Sequence, residues 1–184
     1  TFDPDRLREA MRLSNAAWHY AQEVNALRAA HPAPLRGSRM IGNIAMLICS
    51  LGNPTGETYC RALADYTRDL VQQGSSEQPN QKVRLYWMHL KPYYTTDFFT
   101  HLEDELGAAI VFDEFDDIWW EPLDENRPLR GLARRIMGHF SHGPLERRIA
   151  KVLKDVDRFG IDGVVHFNHW GCRQSTGGVR VIRD

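Results

Sequence analysis

Two histidines, a cysteine and a pair of hydroxyl residues crowd into one stretch near the C-terminus: Asp162-Gly163-Val164-Val165-His166-Phe167-Asn168-His169-Trp170-Gly171-Cys172-Arg173-Gln174-Ser175-Thr176-Gly177-Gly178. His166, His169 and Cys172 stand at three-residue steps, so two imidazoles and a thiolate can be offered to a metal such as zinc. Strong zinc signatures add a fourth ligand at recognisable spacing or a nearby catalytic carboxylate, so the pattern alone is weak. The histidines can equally bond backbone groups at a strand end or carry protons in a pocket. Cys172 follows a glycine, lies among polar residues and precedes a helix start, a setting that favours the thiolate. Ser175-Thr176-Gly177-Gly178 can cradle a phosphate or begin a helix, but it lacks both the Gly-x-Gly-x-x-Gly pattern and the Walker lysine.

The strand formers Gly163 to Phe167 lead into this loop, and open α/β sheets bind ligands beyond such strand ends. Two further strands are expected, Val83 to Trp87 and Ala108 to Phe112. The first runs into Met88-His89-Leu90-Lys91, where Lys91 can pair with an anionic ligand. The second runs into the carboxylates Asp113, Glu114, Asp116 and Asp117, which read equally as a solvated acidic turn, followed by a loop with Trp119-Trp120. Between the strands, Thr96 to Leu106 reads as a helix with Phe98, Phe99, Leu102 and Leu106 inward. Pro128 starts another with Leu132, Ile136, Met137 and Phe140 on one side. A third carries Leu145, Ile149, Val152, Leu153 and Val156 and is closed by Gly160. This alternation predicts a parallel sheet with crossover helices, strand order near 2-1-3-4, and all three loops at one sheet edge.

The first third has a different rhythm. Pro4 suits the first turn of a long amphipathic helix carrying Leu7, Ala10, Met11, Ala17, Trp18, Ala21 and Val24, which ends before His31-Pro32-Ala33-Pro34. A more apolar helix is expected from Arg39 to Leu51, and a third from Pro54 to the Gln72-Gln73-Gly74 stop. Cys49 and Cys60 fall within these helices, where cysteine is most often a small buried hydrophobe. The polar cluster beginning at Gly74 marks a linker, so the expected organisation is a helical connector over 1–73, a linker over 74–82 and a Rossmann-like (flavodoxin-like) α/β lobe over 83–184.

With 42% hydrophobic and 26% charged residues among 184, a soluble globular fold is expected rather than disorder. The net charge of −1, spread along the chain without a basic stripe, argues against nucleic acid or an anionic membrane as primary partner. The longest apolar run, Ile44 to Cys49, is too short to span a bilayer, and the N-terminus lacks a signal-peptide layout. Three cysteines without a Cys-x-x-Cys pair suit a reducing compartment, so a cytoplasmic location is expected. The chain starts without Met and stops inside an element, which reads as a piece of a longer polypeptide.

Taken together the chain resembles the 2-hydroxyacyl-CoA dehydratase and benzoyl-CoA reductase family of iron-sulfur proteins. The resemblance is carried by Asp162-Gly163-Val164-Val165 with His169-Trp170-Gly171-Cys172-Arg173-Gln174, by the strand Gly107 to Asp113, by the helix start Pro128-Leu129-x-x-Leu132-Ala133, and by an early helix with Asn15 leading to Ala33-Pro34. It spans nearly the whole chain. It implies two-lobed subunits of about twice this length, each lobe Rossmann-like, with a 4Fe-4S cluster held between lobes. Two cluster cysteines come from the N-terminal lobe, which is not in this sequence, and one from the loop matching Cys172. In such proteins an ATP-dependent activator iron-sulfur protein injects one electron, the cluster passes it to a CoA thioester, and the ketyl radical so formed loses its hydroxyl group.

The function implied is that of a lyase, a subunit of a 2-hydroxyacyl-CoA dehydratase such as 2-hydroxyglutaryl-CoA dehydratase, working with a second dehydratase subunit, and inactive as this piece alone. Cys172 would be the metal ligand, His166, His169 and Glu114 the proton carriers in the pocket, and Lys91, Ser175 and Thr176 contacts to the cofactor or CoA. Benzoyl-CoA reductase, or a related double-cluster reductase, is the alternative within the family. A non-catalytic electron-relay or CoA-binding partner and a zinc-dependent α/β enzyme are the alternatives outside it.

Overall fold

A computed structural model of the chain describes residues 2–92, 97–116, 121–139 and 142–184. Asp3 accepts the amides of Asp5 and Arg6 at 3.0 and 3.1 Å, and Pro4 takes the first helical position, so α1 (Pro4–Leu27) begins with its free donors satisfied. Helices α2 (Gly37–Ser50) and α3 (Pro54–Gln72) follow. Asn53 caps α3 by accepting the Gly56 amide, and Gly74 (φ 61°) takes the left-handed conformation just past its end. Val24 of α1, Met40 of α2, Leu63 and Ala64 of α3 and Leu35 close into one apolar cluster. No strand occurs in residues 2–73, as the helical periodicity predicts. Cys60 is buried in this layer, and burial pushes its thiol up to about 11; Cys49 is exposed, against the expectation of a buried residue.

Strands β1 (Val83–Met88), β2 (Ala108–Asp113) and β3 (Gly163–His166) form a parallel sheet in the order β2-β1-β3, the 2-1-3 part of the expected order. One face carries Tyr86, Met88 and Phe112 against Val152 and Phe159 of α6 (Leu145–Phe159), with the Phe112 and Phe159 rings stacked 4.2 Å apart. The other face carries Trp87 and Ile110 against Ile41 of α2 and Phe99 of α4 (Asp97–Thr100). Gly37 is what lets α2 sit there, because a Cβ at that position would stand 2.2 Å from the Ile110 Cβ. The parallel order with helices on both faces confirms the mixed α/β, Rossmann-like architecture.

Three helical faces differ from their periodicity. α4 continues into a π-helical turn (His101–Glu105), whose wider i→i+5 winding turns Glu103 inward. Phe99 is buried and Leu102 partly so, but Phe98 and Leu106 are exposed, against the expectation that all four face inward; Thr96 lies outside the described residues. Glu103 accepts the Ser38 amide at 2.9 Å and its hydroxyl at 2.6 Å, and so satisfies donors at the start of α2. α5 (Pro128–Gly138) meets α1 through Gly131 and Arg135, whose NH1 donates to the Ser14 hydroxyl at 2.9 Å. Its Ile136 and Met137 are therefore 64% and 73% exposed, and Phe140 lies outside the described residues. In α6 the buried stripe is Arg148, Val152, Asp155 and Phe159, which leaves Leu153 outside; Gly160 (φ 56°) ends the helix as expected.

The stretch 74–82 is tied to its surroundings. Gln78 is buried and donates to the Glu103 carbonyl at 2.9 Å, and Gln81 donates to the Ala33 carbonyl at 2.8 Å. Beyond β2 a second buried polar group joins the helical layer to the sheet. Arg28, the residue that caps the end of α1, pairs with Asp116, and its guanidinium lies 3.8 Å from Asp113 Oδ2. Asn25 donates to the Asp116 carbonyl at 2.9 Å. Burial pushes the Asp113 carboxyl well above the usual carboxylate range, the neighbouring Asp116 adds to this, and Arg28 opposes it. Among the described residues no helix is long and apolar enough to cross a membrane.

Asp113 gives the fold a pH signature. The folded chain holds the Asp113 proton to higher pH than the unfolded chain, whose carboxyl titrates near ~3.9. The stabilisation is thus complete below that value and is lost as pH rises through the raised folded pKa. Asp113→Asn keeps an acceptor for the Phe115 and Asp116 amides, both 3.1 Å away, and removes the titration. Thermal melts across this window should show native stability declining with pH relative to the variant; parallel curves would contradict the assignment.

Candidate functional site at the C-terminal edge of the sheet

In a parallel sheet successive strand ends meet at one edge, and the three loops expected there do meet. Cys172 lies in the loop after β3, His89 directly after β1 and Glu114 directly after β2. A cavity of about 190 Å³ opens beside the loops after β1 and β3, lined by His89, Gly143, Pro144, Leu145, Arg148, Cys172 and Gln174, and Glu114 reaches it through Arg148.

Glu114 is the hub. The expectation of a solvated acidic turn is overturned for Asp113, Glu114 and Asp116, all buried; Asp117, Trp119 and Trp120 lie outside the described residues. Arg148 of α6 grips Glu114 with two donors, Nε to Oε1 at 2.5 Å and NH2 to Oε2 at 2.6 Å. The two side chains are 5% and 6% exposed, so the pair is a bidentate ion pair almost out of water. Glu114 Oε2 also accepts the His89 amide at 3.1 Å, and Arg148 NH1 reaches the Gln174 carbonyl at 3.4 Å. One ion pair therefore touches the loops after all three strands.

Cys172 caps a short helix, α7 (Arg173–Thr176), and is half-buried. The helix starts at Arg173 rather than within Ser175-Thr176-Gly177-Gly178, and it is a single turn, so little helix dipole acts on the sulphur. Ser175 and Thr176 amides and the Thr176 hydroxyl all bond the Cys172 carbonyl, the last at 2.6 Å. Cys172 Sγ lies 3.6 Å from Nε2 of His89. His89 is 8% exposed and has φ 68°, the left-handed region that a side chain seldom occupies. Burial holds its imidazole below the ordinary value, with Glu114 pulling the other way.

The remaining expected site residues take distinct places. His166 ends β3, half-buried, with Nε2 3.3 Å from the Ser175 hydroxyl; burial and then the Arg148 charge hold its pKa down. Among the described residues its Nδ1 is buried without a hydrogen-bond partner. Ser175 is fully buried and donates to Asn168 Oδ1 at 2.8 Å. His169 is exposed, accepts the Gly171 amide at 3.2 Å and stacks on Trp170. Lys91 lies beside α2, its ammonium 3.5 Å from where a Gly42 Cβ would stand, and is not among the residues lining the cavity. The cavity's other wall is shaped by Arg147, which donates to the His139 and His142 carbonyls at 3.0 and 2.7 Å and so fixes the turn before α6.

His89 and Arg148 were both within reach of the sequence. His89 is the first residue after a strand, and Arg148 interrupts an apolar helical stripe four residues before Val152, where a buried arginine needs an acid. Among the described residues no three His, Cys, Asp or Glu side chains gather to hold a metal. Of the three cysteines Cys172 is the one that lines the cavity, half-buried, and its thiol is of the chemical type that holds an iron-sulfur cluster.

A family model described as 2-hydroxyglutaryl-CoA dehydratase, D-component, matches residues 1–184. No curated protein matches the chain.

The buried pair can be tested without any ligand. Glu114→Gln leaves the Arg148 guanidinium buried and uncompensated and should destabilise the chain by roughly 3–5 kcal/mol in urea unfolding. Glu114→Gln combined with Arg148→Met removes both charges and should recover most of that loss. Equal destabilisation of the single and double variants would show that the charges are not coupled.

Proposed function

Because the chain belongs to the 2-hydroxyglutaryl-CoA dehydratase D-component family, we propose that it supplies the Cys172-bearing lobe of a dehydratase subunit that removes water from a 2-hydroxyacyl-CoA. The observation that carries this reading is the half-buried Cys172 thiol at a cavity lined from the loops after β1 and β3 and from α6, at the edge where the strand ends meet. Cys172 would be one thiolate ligand of a 4Fe-4S cluster whose other ligands lie outside this sequence. When bound, the cluster supplies the one-electron chemistry that makes a hydroxyl group beside a thioester carbonyl able to leave.

The chain's own residues then bind, shield and move protons. The Arg148–Glu114 pair keeps the cavity floor rigid and places a guanidinium at its wall, while Leu145 and Pro144 exclude water on one side. Glu114 holds this geometry with both oxygens engaged, which suits a positioning role better than proton transfer. His169, exposed at the loop tip, is the better placed of the two loop histidines to exchange protons with solvent, and His166 with Ser175 and Asn168 forms the polar layer behind it. Ser175 and Thr176 shape the turn that carries Cys172. Lys91, on the α2 side of the same edge, would meet an anionic part of the CoA thioester. A second dehydratase subunit and an ATP-dependent activator complete the system.

Serine in place of Cys172 keeps the size but offers a hard, weakly acidic oxygen instead of a soft thiolate. In the assembled enzyme, purified without oxygen, Cys172→Ser should lose iron, sulfide and the cluster's visible absorption, while Cys49→Ser should keep all three. A normal far-UV spectrum in Cys172→Ser would exclude misfolding as the cause. An unchanged cluster in that variant, or zinc without iron in the native enzyme, would overturn the assignment.

A further inference from the structure

We propose that His89 is a positioning residue for Cys172: its ring nitrogen Nε2 shares a hydrogen bond with the cysteine sulphur and fixes that side chain at the cavity. The cluster-bound part of this role rests on the reading above, whereas the His89–Cys172 contact does not. Three observations support it independently. The Nε2–Sγ separation of 3.6 Å lies within hydrogen-bonding range for sulphur. The ring is almost fully buried, with the Phe115 ring centroid 5.9 Å away, so it has little freedom to swing off the sulphur. The backbone at His89 is left-handed, a conformation that is strained for a non-glycine residue and persists only where the surroundings over-determine it.

The surroundings do so through Glu114. Along β1 the side chains alternate, with Tyr86 and Met88 on the α6 face and Trp87 on the α2 face, so an extended residue 89 would fall with Trp87. The left-handed residue breaks this alternation, and its ring lines the cavity together with Leu145 and Arg148 of α6. Glu114, itself held by Arg148, accepts the His89 amide and fixes the turn. In the cluster-free thiol form the S–H donates to Nε2, whereas a thiolate sulphur has no proton to give, so in the thiolate form the ring nitrogen is the donor. Such a donor draws charge from a metal-bound sulphur, and hydrogen bonds of this kind raise a cluster's reduction potential.

His89→Gly removes the ring and relieves the left-handed strain, so it should fold at least as well as the native chain. His89→Gln keeps both a carbonyl acceptor and an N–H donor at similar reach. In the cluster-free chain the infrared S–H stretching band of Cys172, assigned by its loss in Cys172→Ser, should shift in His89→Gly toward the band of the exposed Cys49 and return toward its native position in His89→Gln. In the assembled, cluster-loaded enzyme the His89→Gly potential should fall with iron content unchanged, and His89→Gln should restore part of the fall. An S–H band indifferent to His89→Gly would overturn the contact. A shifted band with an unchanged potential would overturn the role toward the cluster. A shifted band in an enzyme that carries no iron would sink the dehydratase reading and leave the His89–Cys172 contact standing.

Discussion

The buried ion pair between Glu114 and Arg148 is the constraint on which the site depends. Two charges taken this far from water lose hydration worth several kcal/mol each, and only short, bidentate geometry with further hydrogen bonds offsets that loss. The further bonds are the ones that matter for function, because they run to the His89 amide and the Gln174 carbonyl. The pair therefore does more than neutralise itself. It couples the end of β1, the end of β2 and the Cys172 turn, three loops that a parallel sheet brings near one another but does not lock together.

The rest of the fold places this pair where it can act. α6 lies on the sheet because Val152 and Phe159 pack on Tyr86, Met88 and Phe112, and this packing brings Arg148, four residues before Val152, to the sheet edge. The helical layer is joined to the same edge by a second buried group, Arg28 with Asp113 and Asp116, so β2 ends between two arginines, one at the end of α1 and one in α6. Asp113 and Glu114 are adjacent in sequence and serve opposite directions, one toward α1 and one toward α6. A strand end with alternating residues provides that split naturally.

Much of this was legible in the sequence because the signals were periodic or terminal. The helical first third, the strand-helix alternation after it, the Gly160 stop and the nearness of the three strand-end loops follow from spacing alone, and the position of Cys172 in one of those loops follows with them. What was not legible depends on single contacts. The π-helical turn rotates Glu103 inward and Phe98 and Leu106 outward, and no hydrophobic period announces it. α5 meets α1 through a glycine and an arginine, so its most apolar residues are left outside. The acidic run after β2 is a buried set of ion-pair partners because arginines far away in sequence reach it. His89 stood in view as the first residue after β1, but the left-handed backbone angle that turns its ring to the cavity carries no sequence signal.

Amide hydrogen exchange tests the central claim most directly, by asking whether the three loops open as one unit. If Glu114 and Arg148 hold them together, Glu114→Gln should speed exchange in residues 87–90 and 172–176 together, while the amides of β2 from Ala109 to Phe112 keep their protection. Loops that keep native protection in that variant, or that lose it independently of each other, would contradict the account.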